Sequence, residues 1–248
     1  MTVEMSDGQV LECQGAVANG LVKKLNAVKA TGPAAVAIEM IASRIVASGS
    51  SLTVLRNHAP HDWGFDGASI LRNIYDVMLQ GMYIVADPCM RENRAQLYLG
   101  FMDVERKRRI ELLDSSGTDL AKRISGSPKR PAAEPEIEKR FNAIKVNYQT
   151  KAGKIRETWY PGTLRDLART AGLEPEYELM QKSLSGAVHS SPLTLKEGPF
   201  VKDFLLMDWH WRFAFRILGA YADYKKVALD KTEQGLVESA RQNVFDFG

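Results

Sequence analysis

Between Asp66 and Ala86 the chain places Ile70, Leu71, Ile74, Tyr75, Val77, Met78, Met82, Ile84 and Val85 around most of the circumference of a helix. A helix that is apolar on nearly every side has to be covered, so this segment predicts a bundle assembled around it. Strand-like alternation is almost absent elsewhere, whereas helical periodicity recurs along the chain. The expected fold class is all-α, an irregular helical bundle with a central buried helix. With 248 residues the chain can bury a core of its own without a metal or a disulfide. The expectation is a single helical domain over 1–248, with a variable N-terminal segment at 1–49 and a flexible crossover at 125–138.

Breakers delimit the other helices. A first helix is expected from about Val10 to Ala30, and a second starts at Gly32-Pro33 and ends near Gly49-Ser50. The stretch from Ser51 to Gly67, with Pro60 and Gly64, predicts a loop or an interrupted helix. After Asp87-Pro88 a long helix is expected from Met90 to Ile124, with Leu97, Phe101, Val104, Leu112 and Leu113 as core contacts and Gly117 as an early stop. A short helix closes at Tyr148, and Trp159 to Gly162 forms a turn. Thr163 and Asp166 have capping-box spacing, and Gly172 sits where that helix should end. Further helices are expected at Glu174 to His189, Pro199 to Asp223 and Thr232 to Val244.

Composition removes several classes. Cys13 and Cys89 are the only cysteines, too few for a thiolate zinc site or a disulfide scaffold, and they fit a reducing cytoplasm. The acidic N-terminus lacks the pattern of a signal peptide. No run reaches about 18 uninterrupted apolar residues, so no membrane partner is expected. Charge is uneven: residues 91–156 carry 16 Lys and Arg against 9 Asp and Glu. Its densest part, Arg106, Lys107, Arg108 and Arg109, reads either as a surface for phosphates or nucleic acid, or as the solvated face of a long helix.

Candidate chemistry is sparse. Of the four histidines, His58, His61, His189 and His210, none lies in an HExxH arrangement, and glycine-rich phosphate loops and nucleophile elbows are absent. No metal and no cofactor are expected. Arg72, Asp76 and Gln80 follow at intervals of four on the central helix and so share one side of it. They form either an internal ion pair that locks helix register or a phosphate-binding arginine oriented by an acid. His189, behind Ser185 and Gly186, is either a helix cap or a proton shuttle, with Tyr177 lining the same groove. Arg56 and His61 have a spacing that metal-independent RNA cleavage can use, although Pro60 interrupts the helix that would present them. Trp209-His210-Trp211-Arg212 reads as core packing, with His210 and Arg212 near a pocket rim.

In order, Leu71-Arg72-Asn73-Ile74-Tyr75-Asp76, then Tyr83-Ile84-Val85-Ala86-Asp87-Pro88, then the stretch from Tyr177 to His189-Ser190 resemble a bacterial family of helical proteins, the domain-of-unknown-function family numbered 5677. The likeness runs from about residue 50 to 220. Asp76 stands where that family usually has glutamate, and Asn73 where it has serine. The resemblance implies a helical bundle in which arginine, acid and histidine meet; from their own spacing Gln80, Tyr177 and Ser185 are expected to line that pocket. Some relatives resemble effectors of bacterial conflict or phage defence, including ribonucleases. Two expectations follow: a metal-independent ribonuclease-like effector acting on RNA or another phosphate-bearing ligand, or a non-enzymatic regulatory or protein-interaction bundle. Shared aromatic helix surface makes a homodimer a further expected partner.

Overall fold

The computed structural model describes residues 6–58, 63–119, 122–123, 126, 130–188 and 203–242. Among these residues there are nine α-helices and no strand, the all-α fold that the periodicity implies. They are α1 (Asp7–Ala27), α2 (Pro33–His58), α3 (Trp63–Val85), α4 (Arg91–Ser116), α5 (Arg130–Ile144), α6 (Leu164–Thr170), α7 (Glu174–Val188), α8 (Asp203–Lys225) and α9 (Lys231–Arg241). They fall into two compact units, residues 92–162 forming one and the segments on either side forming the other.

In the larger unit α8 packs against α1, α2, α3 and α9, while α3 packs against α2, α6, α7 and α8. Much of the apolar circumference of α3 is covered: of the residues expected there Leu71, Ile74, Tyr75, Met78 and Ile84 are buried, with Leu79 beside them, while Ile70, Val77, Met82 and Val85 are half-buried. The helices packed on it, α2 and α8, bury Ile38, Ile41 and Ile45 and Phe213, Ile217 and Leu218 respectively, with Phe213 against the Tyr75 ring. One helix, α2, is long and apolar enough to cross a membrane, with mean hydropathy 1.3 over its best window. Of that window 56% is buried, in a helix that packs on α1, α3 and α8, while Val36 and Met40 are exposed.

Several boundaries differ from the sequence expectation. α2 does not stop at Gly49-Ser50 but runs on to His58, and α3 begins at Trp63, so helix replaces most of the expected loop. Gly49 is there for space. A Cβ at that position would lie 2.5 Å from Cη2 of Trp211 and 2.6 Å from Nε2 of His210, so only bare backbone lets α8 approach. Gly81 plays the same part on α3, where a Cβ would lie 2.6 Å from Cδ1 of Ile217. The expected crossover at 125–138 gives way to helix at Arg130, with Pro135 inside it. α4 ends at Ser116, and Gly117 follows with φ of +62°. The capping box forms as its spacing implies, with the Asp166 carboxylate accepting from the Thr163 N–H at 2.8 Å, and Gly172 takes the left-handed conformation after α6 (φ +73°).

The smaller unit joins α4 and α5 to a 3₁₀ turn (Lys145–Tyr148) and an irregular segment up to Gly162. Tyr148 is its anchor: the hydroxyl donates to the Leu97 carbonyl at 2.8 Å, and the ring meets Phe101 edge to face at 5.3 Å. Trp159 meets Tyr98 in the same way. Phe101 and Val104 are core residues as expected, but Leu112 is 67% exposed and is not.

Glycine substitutions separate space from helix propensity. Alanine normally stabilises a helix interior over glycine by about 1 kcal/mol, and Gly20, with nothing within 4 Å of its would-be Cβ, should behave that way. Gly49→Ala should do the opposite and cost about 1–3 kcal/mol through overpacking. Urea unfolding of both variants checks the difference in sign.

Candidate functional site

The polar stripe of α3 is drawn into the larger unit. Arg72, 8% exposed, donates one terminal nitrogen to the Asp76 carboxylate and the other to the Gln181 side-chain oxygen on α7. Gln80 donates its amide to the Asp76 backbone carbonyl at 3.3 Å. The stripe is thus an ion pair at i,i+4 with a cross-helix partner, and it ties α3 to α7. Tyr177 and Ser185 are half-buried on the same α7. His189, expected to meet Arg72 and Asp76, and His61 lie outside the described residues.

Beside Tyr75 of α3, a second polar network crosses the bundle. Arg216 of α8 donates Nη1 to both oxygens of Glu176 on α7, at 2.7 and 2.8 Å, and Nε to the Ala240 carbonyl of α9 at 3.0 Å. The two side chains are 4% and 1% exposed. Tyr75 sits against this pair, its ring tilted on Phe213 at 5.0 Å. Burial first, and then the Glu176 carboxylate, push the Tyr75 phenol well above the ordinary tyrosine range, while Arg216 and Arg72 pull the other way. Sequence reading missed Gln181, Glu176 and Arg216. Only Arg216 carried a signal, as a lone charge among Phe213, Phe215, Ile217 and Leu218.

Among the described residues of the larger unit two pockets lie elsewhere, and neither is lined by Arg72, Asp76 or Gln181. A small one of about 130 Å³ has Arg44, Ser48 and Asn73 among its walls. A groove of about 370 Å³ lies between α1, α2 and α8, and Arg56 and Trp211 line it. His210, next to Trp211, is fully buried rather than at a rim, and both of its ring nitrogens lack a hydrogen-bond partner. Burial pushes its pKa down from 6.5 to about 3. Arg212 pairs with Asp208 at 2.7 Å.

The basic run lies in the smaller unit and is largely spent within it. Arg106 pairs with Asp103 at 2.7 Å and Lys107 with Glu138 at 2.6 Å. Arg108 lies over the Phe101 ring and donates to the carbonyls of Ile155, Arg156 and Glu157. Arg109 is exposed. Among the described residues no cluster of three or more His, Cys, Asp or Glu side chains is arranged to hold a metal ion.

Two predictions follow from the buried groups. Removing one member of the Arg216–Glu176 pair strands a charge in the core and should cost about 3–5 kcal/mol, whereas Glu176→Met with Arg216→Met should cost far less than the two single changes added. Chemical unfolding of the three variants measures this. For His210, below about pH 6.5 the unfolded chain binds a proton that the folded chain does not. Stability should therefore fall as pH drops from 6.5 towards 3, by up to about 1.4 kcal/mol per pH unit. His210→Leu should flatten that part of the stability curve, which urea midpoints at several pH values would show.

No curated protein and no solved structure matches the chain. A family model does match it, over residues 35–203, more than half of its length, from the start of α2 to the start of α8. The motifs on α3 and α7 fall inside that range, and the chain belongs to the family of unknown function DUF5677.

Proposed function

We propose that this chain is a non-enzymatic regulatory or protein-interaction bundle in which Arg72 and Asp76 hold α3 against α7. The observation that carries this reading is the use of Arg72: its two terminal nitrogens are given to Asp76 and Gln181, and the residue is almost entirely buried. A phosphate-binding arginine works by offering its planar fork to ligand oxygens. To act so, Arg72 would have to exchange two partners inside the bundle for a phosphate. The internal pairing of Arg106, Lys107 and Arg108 points the same way, since it leaves less free charge to attract a polyanion. The competing reading is the metal-independent ribonuclease-like effector, with His189 or His61 as acid and base and Arg72 or Arg56 opposing phosphate charge.

Incubating the full chain with mixed RNAs in EDTA decides between them, with His189→Ala, His61→Ala and Arg72→Met alongside. The expected result is no cleavage above that of a control without protein, with Arg72→Met lowering the thermal unfolding midpoint. RNA cleavage by the parent chain that disappears in His189→Ala or in His61→Ala, at an unchanged unfolding midpoint, would overturn the proposal.

A further inference from the structure

The groove between α1, α2 and α8 is built differently from the polar networks around Arg72 and Arg216. Its floor is apolar: Leu11, Met207 and Trp211 are each less than 5% exposed. The Trp211 indole is set between two glycines, where a Cβ on Gly15 would lie 3.0 Å and one on Gly49 2.5 Å from its ring. Its N–H is buried and has no hydrogen-bond partner. The volume, about 370 Å³, falls within the roughly 300–1,000 Å³ of small-molecule sites.

Two charges of opposite sign line this groove, Arg56 half-buried on α2 and Glu12 exposed on α1. They do not pair with each other, and among the described residues neither side chain forms an ion pair or a hydrogen bond. Arg72, Arg212 and Arg216, which also pack into the larger unit, each find an acid, and Arg91 lies over the Tyr224 ring. An anionic ligand would satisfy Arg56 but meet Glu12, and a cationic one would do the reverse. A ligand with both charges and an apolar body satisfies the whole lining.

We propose that this groove binds a zwitterionic small molecule with a large apolar side chain, an amino acid or a dipeptide. Its carboxylate is met by the Arg56 guanidinium, its ammonium by the Glu12 carboxylate, and its side chain rests on Trp211, Met207 and Leu11. The site does not depend on the role given to Arg72. Glu12 and Trp211 lie outside the residues matched by the family model, and Arg56 lies inside them.

Calorimetric titration of the full chain with L-phenylalanine tests this, with phenylalaninamide and N-acetylphenylalanine as probes that each lack one charge. At probe concentrations up to about 1 mM, phenylalanine should bind, and each one-charge analogue should bind about tenfold more weakly. In Arg56→Gln the amide should bind as well as phenylalanine does, and in Glu12→Gln the acetylated probe should, because each substitution removes the partner of the missing charge. Both positions are on the groove's rim rather than in the core, and Ser50→Trp, at an exposed site on α2 that also lines the groove, should abolish binding by filling it. Absence of binding by phenylalanine, or analogue penalties that persist in the Arg56→Gln and Glu12→Gln proteins, would overturn the proposal.

Discussion

A guanidinium and a carboxylate with almost no access to water have to find each other, and in this fold that requirement sets where α7 can lie. Arg216 is carried into the core by the apolar residues around it on α8, and Glu176 is the acid that meets it. The third donor of the arginine takes the Ala240 carbonyl near the end of α9. Three helices are thereby brought to one point. Pairs of this kind add little net stability, but a structure that separates them is penalised heavily, so they select one arrangement among many apolar ones. With α7 in place, Gln181 comes within reach of Arg72, and the α3 network follows from the α8 one.

Helical periodicity made most of this fold legible, because an amphipathic or fully apolar helix writes its buried face into the chain at fixed intervals. The Thr163–Asp166 cap and the Gly172 ending were readable for the same reason, since both depend on residues within one turn of each other. Gly49 was misread as a stop. Glycine ends helices when a left-handed residue is required, but here it remains helical and makes room for Trp211, and that neighbour lies far away in sequence. Pro135 lies inside the expected crossover and does not keep the chain from helix either. It sits early in α5, where the absent N–H removes a single bond to residue 131 in the first turn, and the helix absorbs that loss.

The candidate site was legible to the same depth. The i,i+4 relation of Arg72 and Asp76 is local, and it forms. Gln181 and the Glu176–Arg216 pair were not foreseeable, since they arise from tertiary packing across 109 and 40 residues of chain. Membership of DUF5677 accounts for the order of the α3 and α7 motifs but brings no activity with it. A fold shared by a family constrains the scaffold, and chemistry has to be argued from the groups that line a site.

The division of the chain has a consequence for how it can change. Residues 92–162 leave the larger unit after α3 and hand the chain back just before α6, so that unit is assembled from two stretches separated by a self-contained insertion. The entropy of closing such an excursion grows only with the logarithm of its length, by about 0.6 kcal/mol for each doubling. Lengthening, trimming or replacing the inserted segment is therefore cheap for the larger unit, whose own helices meet one another in any case. A lineage carrying this architecture can diversify through the insertion while the bundle that accepts it stays as it is.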